Sequence, residues 1–298
     1  MITYNQCPVC KSIDIFRKLD AKDYTVSKET FSIWHCTNCT LRFTQDVADQ
    51  AMIGKYYQSE NYISHSDTKE GLVNSLYHSI RKFTLYLKKS LVQNQTKTKS
   101  GKILDIGCGT GAFLNTMKES GWNITGLEPD ETASKKAKSL YNIQTQSPST
   151  LFEISEKQFD VITMWHVLEH VHQLEQYMLQ LRKVLKDDGT LLIAVPNYTS
   201  FDASYYKELW AAYDVPRHLY HFSPKSMDVL VERFGMKVKT VRRMWFDSFY
   251  VSMLSENYKG NKLGLIRAVI IGKLSNLKSF FNRKKCSSVI YVIEKSKN

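Results

Sequence analysis

The chain of 298 residues lacks the features that mark membrane, exported and repeat proteins. It contains no run of about 18 uncharged apolar residues, which argues against a membrane-spanning helix. Its first residues, MITYNQCPVC, have neither the basic region nor the apolar region of a secretory signal, so we expect a cytoplasmic protein. Internal repeats and low-complexity segments are also absent. The length suits one α/β domain with a small additional module, but not two large domains.

Basic residues outnumber acidic ones, and the excess is concentrated near the C-terminal end. The formal net charge is +12, and residues 254–298 contain ten Lys or Arg against two Glu. Such a charge favours anionic partners, among them nucleic acid, lipid head groups and phosphorylated substrates. A basic face that is merely solvated is the more common outcome, and both interpretations stay open.

Cysteine is scarce, and four of the six cysteines form two Cys-x2-Cys pairs. These are Cys7 with Cys10 and Cys36 with Cys39, and 25 residues separate the two pairs. In a reducing compartment such pairs favour a metal over disulfides. Four thiolates form a closed tetrahedral site, which is structural because it leaves no position for a substrate. We therefore predict a zinc-ribbon module over residues 1–46 that binds Zn²⁺.

Strand and helix patterns alternate after residue 101, which predicts a mostly parallel sheet with helices on both faces. Residues 47–100 are predicted to form a helical linker or cap, and residues 101–298 the main domain with a basic helical insertion at about 246–286. The predicted strands are Lys102–Ile106, Ile124–Leu127, Phe159–Met164, Thr190–Val195, 237–244 and 288–294. The predicted intervening helices are Ala112–Ser120, Thr132–Leu140 and Val171–Leu185.

A glycine-rich turn follows the first of these strands and opens a helix. In Asp105-Ile-Gly107-Cys-Gly109-Thr-Gly111 the glycines permit a sharp turn and a close approach of the backbone to a ligand. The spacing also fits a dinucleotide fingerprint, in which a pyrophosphate binds the helix N-terminus. A carboxylate two residues before the first glycine would repel a pyrophosphate, whereas it suits the ammonium of a methionine-like group. Asp105 therefore favours S-adenosylmethionine (SAM) over NAD.

Further along, Glu128 stands at the end of the second strand, where it can accept hydrogen bonds from two ribose hydroxyls. With the glycine motif and the segment Phe159–His170, it makes residues of about 100–245 resemble class I SAM-dependent methyltransferases. The resemblance implies a Rossmann-like, doubly wound, seven-stranded sheet. It also implies that residues near Gln146 and Ser147 flank the adenine. The residues expected to bind SAM are Asp105, Gly107, Cys108, Gly109, Gly111, Glu128, Pro129 and Trp165.

The residues after strand four, His166-Val-Leu-Glu169-His170, are candidates for catalysis. They match the His-x-x-Glu-His motif of inverted zinc proteases, but that motif requires a long helix and these residues follow a strand. They resemble the Glu-His pair of sugar C-methyltransferases, where the histidine is the base. They are also similar to the Glu-x-x-Glu-His metal site of quinone-pathway O-methyltransferases, with His166 in place of the first Glu. A base at His170, a divalent ion and a purely structural role are the alternatives.

A second candidate region, Tyr213–Pro224, is predicted to form a lid that faces the acceptor, before a helix that begins near Pro224. Arg217 could bind a phosphate or carboxylate, and His218 could accept a proton. His221 is a third candidate for acceptor binding in this lid. Tyr57 and Tyr62 belong to an aromatic cluster that in related enzymes folds over SAM, and ordinary packing is the alternative for both.

The predicted insertion contains an amphipathic helix. Its apolar residues recur every three or four positions, with lysines and an arginine between them. We expect this stripe to cover the substrate domain or a partner subunit, and binding to a membrane surface is the less favoured alternative. The stripe comprises Leu263, Ile266, Ile270, Leu274, Leu277 and Phe281.

Taken together, these patterns predict a SAM-dependent methyltransferase with a small-molecule acceptor, which is a sugar, a quinone or a lipid-linked intermediate methylated at carbon or oxygen. N-terminal modules of this kind resemble those of sugar C-methyltransferases and of ribosomal-RNA guanine methyltransferases. Hence an RNA methyltransferase that modifies a guanine ring nitrogen, with nucleic acid held by the module and the basic surface, is the alternative. A SAM-binding scaffold without activity is a third possibility.

Overall fold

The computed structural model describes residues 1–57, 72–96, 99–261 and 263–296, with only the backbone described for 72–79. Tyr62 and Lys262 lie outside the described residues. The described chain divides into two compact units. The first unit contains residues of 1–64, 168–174 and 194–291, and the second contains those of 65–167, 175–193 and 292–298. Among the described residues, no helix combines the length and apolarity that crossing a membrane requires.

The regular elements follow one another in an order close to that predicted from the sequence. The strands are β1 (Ile15–Lys22), β2 (Thr30–Cys36), β3 (Arg42–Thr44), β4 (Lys102–Ile106), β5 (Asn123–Leu127), β6 (Phe159–Trp165), β7 (Leu185–Pro196), β8 (Tyr220–His221), β9 (Met236–Arg243) and β10 (Ser288–Lys295). The α-helices are α1 (Leu72–Gln95), α2 (Ala112–Lys118), α3 (Glu131–Tyr141), α4 (Leu174–Val184), α5 (Phe201–Tyr206), α6 (Pro224–Arg233), α7 (Asp247–Tyr258) and α8 (Gly264–Phe281). Short 3-10 helices cover Ile53–Tyr57, Pro148–Glu153, Leu168–His170, Lys207–Leu209, Ala211–Tyr213 and Arg283–Lys285.

In the first unit the N-terminal segment forms a small antiparallel sheet with strand order β1-β2-β3-β8. The hairpin of β1 and β2 pairs Ile15 with Cys36 and Lys22 with Thr30. Strand β8, which lies far along the chain, completes the sheet by pairing Phe43 with Tyr220. The sequence pattern did not predict β8, because two residues are too few to show an alternation of polar and apolar side chains.

The large sheet has strand order β5-β4-β6-β7-β10-β9, and β4 runs parallel to both β5 and β6. This arrangement confirms the predicted Rossmann-like α/β class. The described residues form six strands in this sheet, compared with the seven expected from the sequence. In the second unit the helices α1 and α2 pack on buried strand residues, and the shared core includes Val92, Phe113 and Val161.

Helix α6 begins at Pro224, as predicted. The Ser223 hydroxyl accepts a hydrogen bond from the Ser226 amide, and Pro224 stands in the first turn, where a missing N–H costs nothing.

The predicted helical insertion consists of two helices, α7 and α8, rather than one. Among the described residues the apolar stripe of α8 is exposed and does not cover the substrate domain, whereas the expected alternative, a partner subunit, stays a prediction. The buried face of α8 instead consists mostly of small residues, Gly264, Ala268, Ile271, Gly272, Ser275 and Ser279. The predicted stripe is exposed by 40 to 83% at Leu263, Ile266, Ile270, Leu274, Leu277 and Phe281.

Candidate cofactor and active site

The glycine turn of the second unit lies between β4 and α2, where the backbone takes a left-handed path. Gly107, Gly109 and Gly111 have φ angles of 69°, 54° and 78°, a region that side chains disfavour. A Cβ added at Gly107 would stand 2.5 Å from a methyl group of Val167, whereas one at Gly109 would meet nothing within 4 Å. The turn is therefore packed against the protein at Gly107 and open at Gly109, which leaves room for a ligand.

At the end of β4, Asp105 is almost fully buried, with 1% of its surface exposed. It accepts a hydrogen bond of 2.5 Å from the Thr163 hydroxyl on β6. Burial raises the pKa of Asp105 to about 7, although the Thr163 hydrogen bond and the positive charge of Lys88 oppose this shift. A buried carboxyl with so high a pKa gains most from a cationic ligand, and the ammonium of SAM meets that need. The sequence did not indicate Thr163 as its partner.

Glu128 lies at the end of β5, as predicted, and its carboxylate accepts hydrogen bonds from the amides of Gly109 at 2.7 Å and Asp130 at 2.9 Å. Burial raises the pKa of Glu128, which these two hydrogen bonds partly offset. Each carboxylate oxygen retains capacity for a further donor, such as a ribose hydroxyl. Because Glu128 bridges the glycine turn to the start of α3, it fixes both sides of a ribose position.

Three further residues near the predicted SAM site lie in the second unit. Gln146 pairs with β5, since the Glu128 amide donates to its carbonyl at 2.9 Å, and this places Gln146 beside the ribose candidate. Cys108 is buried. Trp165 stacks edge-on against Phe113, with ring centroids 5.5 Å apart. The residues present in the second unit therefore fit the methionine and ribose parts of SAM.

In the first unit, the candidate base His170 lies in a cluster with Tyr57 and His218. The Tyr57 oxygen stands 3.0 Å from His170 Nδ1, and the His170 and His218 rings meet edge to face with centroids 4.6 Å apart. Nδ1 of His170 also stands 3.0 Å from the carbonyl oxygen of Arg217. A carbonyl only accepts, so Nδ1 carries the proton and the lone pair of His170 is on Nε2.

The charge state of His170 follows from its surroundings. Burial, and the proximity of His218, lower the pKa of His170 to about 4, although the carboxylates of Glu169 and Asp214 oppose this shift. The ring is therefore neutral at physiological pH. A neutral imidazole with Nδ1 held by a carbonyl is the form that a general base requires.

Arg217 has a different environment from the one we predicted. It is 1% exposed, and its guanidinium donates to Asp214 at 2.6 Å and to Asp23 at 3.0 Å. It also donates to the Tyr56 carbonyl at 2.8 Å and to the Thr25 hydroxyl. The two carboxylates hold the pKa of Arg217 above its usual value. Its contacts therefore order the loop that follows Ala212, and its binding of the acceptor stays a prediction.

His221 is likewise buried, with its Nε2 3.0 Å from the Thr44 hydroxyl and its ring against Tyr213. Burial, with His218 and Arg42 nearby, lowers the pKa of His221 well below its usual value. Such surroundings give His221 a packing role between β3 and β8 rather than an open position for an acceptor.

Glu169, His170 and His218 also form a group whose potential ligand atoms lie within 4.8 Å of one another. The sequence suggested His166 as the third member of such a group, but it did not suggest His218, which lies 48 residues away from His170. His166 directly follows β6 with a φ angle of 59°, a left-handed conformation that side chains seldom adopt. Nitrogen and carboxylate donors together suit a divalent transition-metal ion.

The four cysteines of the first unit converge on one point. The Sγ atoms of Cys7 and Cys39 are 3.5 Å apart and those of Cys10 and Cys36 are 3.4 Å apart. All four lie within 4.8 Å of one another, near the spacing of thiolates around a tetrahedral metal with bonds of about 2.3 Å. In the absence of a cation their charges compete, since the pKa of Cys7 is lowered to about 5 by its hydrogen bond with Cys39, while burial raises that of Cys36 to about 11.

The two pairs have the same backbone geometry. The residue after each second cysteine, Lys11 or Thr40, has a φ angle of 62°, and its amide donates to the carbonyl of the first cysteine at 3.0 Å. A repeated turn of this kind aims both thiols of a pair at the same point. The cluster therefore fits a structural metal ion, and the turns, rather than the cysteine count alone, support that conclusion.

The chain is similar in sequence to known methyltransferases. The chain is 29% identical over 143 residues to a ubiquinone biosynthesis O-methyltransferase of Rickettsia felis, which covers 46% of this chain and 59% of that protein. It is 27% identical over 165 residues to the mitochondrial ubiquinone biosynthesis O-methyltransferase of Bos taurus, covering 50% of this chain and 44% of the relative. The chain thus spans less than two thirds of these relatives.

Among solved structures, one assigned as a sarcosine dimethylglycine methyltransferase from Galdieria sulphuraria superposes with a TM-score of 0.52. It is 14% identical and covers 72% of this chain and 86% of that chain, a likeness that concerns the fold. A family profile described as a methyltransferase domain matches residues 77–241, more than half of the chain. The chain belongs to this methyltransferase-domain family.

Proposed function

We propose that the protein is a SAM-dependent methyltransferase that methylates a hydroxyl group of a small aromatic acceptor of the quinone-precursor type. The observation that carries the cofactor part is the open turn at Gly109 beside the buried carboxyl of Asp105 and the half-buried carboxylate of Glu128. The names of the relatives from Rickettsia felis and Bos taurus support the acceptor class.

Two carboxylates divide the binding of SAM between them. Asp105 pairs with the ammonium of the methionine part, where the Thr163 hydroxyl fixes the orientation of its carboxylate. Glu128 accepts from the ribose hydroxyls while the Gly109 amide holds it in place. When bound, SAM supplies an electrophilic methyl group on a sulfonium.

His170 removes the proton of the acceptor. The acceptor O–H proton passes to Nε2 as the oxygen forms its bond to the methyl carbon and the bond from that carbon to sulfur breaks, which yields a methyl ether and S-adenosylhomocysteine. A phenol has a pKa of about 10, but its oxygen becomes far more acidic as the methyl group attaches, so a weak base suffices. The Arg217 carbonyl holds the ring by Nδ1, and Tyr57 lies against the same atom.

The four-cysteine cluster binds one Zn²⁺ that stabilises the first unit. Cys7, Cys10, Cys36 and Cys39 supply all the ligands, so this ion takes no part in methyl transfer. The repeated turns at Lys11 and Thr40 support this assignment.

The proposal is tested by calorimetry followed by a methylation assay. We expect SAM and S-adenosylhomocysteine to bind with micromolar affinity while NAD does not bind, and NAD binding without SAM binding would overturn the cofactor assignment. In the assay, radioactive methyl from SAM should transfer to a catechol. Transfer to RNA or to a deoxysugar in place of phenolic acceptors would contradict the acceptor class while leaving the cofactor assignment intact.

A further inference from the structure

Helix α8 presents its large apolar side chains to the outside. Nine apolar residues from 263 to 281 are between 40 and 83% exposed, and together they form what we call the outward face. Its members are Leu263, Leu265, Ile266, Val269, Ile270, Leu274, Leu277, Phe280 and Phe281. Soluble monomers seldom expose a continuous apolar patch of more than a few hundred square ångströms, so a face of this kind calls for a partner.

The orientation of α8 is fixed by the opposite side of the helix. A Cβ added at Gly272 would stand 2.6 Å from the Phe249 ring of α7, so the two helices touch closely there. The Ser275 hydroxyl donates to the buried carboxylate of Asp202 at 2.6 Å. Rotation of the helix would break this hydrogen bond and bury the bulky residues where only small ones fit. The outward face is therefore a stable feature of the first unit.

Positive charges lie within and beside the outward face. Arg267, Lys273 and Lys278 lie on α8, and the ammonium of Lys278 stands 4.1 Å from the centroid of the Phe201 ring. Arg283, Lys284 and Lys285 follow directly and are exposed. The sequence contains no Asp or Glu between Glu256 and Glu294. Lys273 therefore lies among the apolar residues of the face, Arg267 and Lys278 lie beside it, and no acidic residue of the same segment neutralises these charges.

Aromatic side chains gather at one end of the face. The Arg243 guanidinium lies 4.3 Å from the Trp245 ring centroid and 5.5 Å from that of Phe280, so both rings flank one cation. Trp245 is 36% exposed and Phe281 is 83% exposed. Tryptophan and cationic side chains together are enriched at the boundary between lipid chains and head groups.

A second copy of the chain is a poorer occupant for electrostatic reasons. A two-fold dimer places the same patch of each copy against the other, so the basic residues of one copy, Lys273 and Arg267 among them, would lie against the basic patch of the second. No acidic residue of this segment is available to pair with them. An anionic bilayer supplies both an apolar layer for the face and negative head groups for its basic residues.

We propose that the outward face of α8 docks the protein on the surface of an anionic lipid bilayer, with the helix lying in the plane of the interface. The nine apolar side chains enter the boundary between head groups and chains, and the basic residues contact the head groups. This inference does not depend on the acceptor or on methyl transfer.

The test is flotation of the full chain with vesicles of phosphatidylcholine alone or mixed with phosphatidylglycerol. We expect the protein to float with the mixed vesicles, to bind the neutral ones far less, and to be released by high salt. The triple substitution Ile266→Ser, Leu277→Ser, Phe281→Ser should lower binding by about tenfold or more. The matched control replaces exposed apolar residues elsewhere, Leu140→Ser with Leu179→Ser, and should bind as the wild type does.

A second measurement follows the indole of Trp245. Its fluorescence should shift to shorter wavelength on mixed vesicles, and the shift should vanish in Trp245→Phe. Absence of flotation and of any shift, with the protein monomeric in light scattering, would overturn the proposal. A dimer that the triple substitution dissociates, without vesicle binding, would overturn it in favour of self-association.

Discussion

The charge of Asp105 should depend on whether a cofactor is bound. Its pKa of about 7 means that roughly half of the molecules carry a neutral carboxyl at physiological pH. A cation bound beside it favours the ionised form and lowers this pKa. Binding of SAM therefore competes with binding of a proton at Asp105.

We predict that SAM binding weakens as the pH falls from about 8 to about 6, by up to about tenfold, because the carboxylate that pairs with the ammonium becomes protonated. Asp105→Ala should weaken SAM by about 1.5 to 3 kcal/mol, the scale of a hydrogen bond to a charged group. Calorimetry at several pH values measures both effects. Asp105→Asn serves as the control, since it should bind weakly at every pH. A pH dependence that persists in Asp105→Asn would assign it to another group.

A second prediction at this scale concerns His170 as the base. His170→Ala should lower turnover by roughly 10² to 10⁴ while SAM affinity stays unchanged, as is typical when a general base is lost. Because the His170 pKa is about 4, the wild-type kcat/KM for the acceptor, measured at saturating SAM, should stay level through neutral pH and fall only as the pH approaches that value. Tyr57→Phe keeps the ring in place and should retain most of the activity. Full activity of His170→Ala would refute the assignment, and His218 would become the next candidate.

The sequence located Asp105, Glu128 and His170 because each lies at the carboxyl end of a strand or a few residues beyond it, where ligands of parallel α/β sheets gather. It did not locate their partners. Thr163 belongs to a neighbouring strand, and Asp23 reaches Arg217 across 194 residues of chain. Contacts between residues so far apart in the sequence leave no local pattern. The sequence therefore did not reveal the buried ion pair of Arg217 with Asp23.

At the scale of elements, β8 links the cysteine turns to the loop that follows Ala212. Phe43 of β3 pairs with Tyr220 of β8, and the Thr40 hydroxyl, just after the second cysteine pair, meets the Ser223 hydroxyl at 2.7 Å. The cysteine module is consequently built into the first unit rather than appended to it. A disturbance of the metal ligands should reach His218 and Arg217 through β8.

We therefore predict one zinc per chain and a loss of stability of the first unit in Cys36→Ser, with SAM affinity retained because its residues belong to the second unit. Turnover should fall, since the loop that carries His218 depends on β8. Metal analysis and calorimetry measure the two properties. Cys286→Ser, a buried cysteine outside the cluster, should leave the zinc content unchanged. A folded first unit without metal would contradict the four-thiolate site.

Elements with a clear period were predicted well, and those defined by distant pairing were not. The glycine turn and the start of α6 depend on local chemistry, so the sequence revealed them. Helix α8 shows the limit of the same method. The apolar period was predicted correctly, but the face that is buried is the one with small residues, not the apolar stripe. A period tells which residues share a face, but the close contact of Gly272 with Phe249 decides which face is buried.

At the scale of the whole molecule, the two units contain buried titratable groups of opposite character. The first unit holds His170 and His221, whose pKa values are lowered, and the second holds Asp105 and Glu128, whose pKa values are raised. Each shift links protonation to folding. Because the pKa shifts in the two units have opposite signs, the stabilities of the units should respond to pH in opposite directions.

The direction of each stability change follows from the difference between the pKa of a group in the folded protein and its pKa in the unfolded chain. An unfolded histidine takes up a proton near pH 6.5, whereas folded His170 does so only near pH 4, so the first unit loses stability as the pH falls between these values. Folded Asp105 takes up a proton near pH 7, whereas an unfolded aspartate does so near pH 3.8, so the second unit gains stability over the same range. Each full contribution is on the order of 3 to 4 kcal/mol, at about 1.4 kcal/mol for each unit of pKa difference.

We predict that acidification from about pH 7 to about pH 5.5 speeds amide hydrogen exchange in β2 and β3 and slows it in β4 and β6, after correction for intrinsic rates. Mass spectrometry of the zinc-loaded protein resolves these strands. His170→Asn should reduce the effect in the first unit, because a group that does not titrate there adds no dependence on pH. Saturating S-adenosylhomocysteine should abolish the gain in the second unit, since its ammonium keeps Asp105 ionised. Exchange that changes in the same direction in both units would contradict this prediction. It would show that the two units unfold together, with a stability set by the net effect of all the titrating groups.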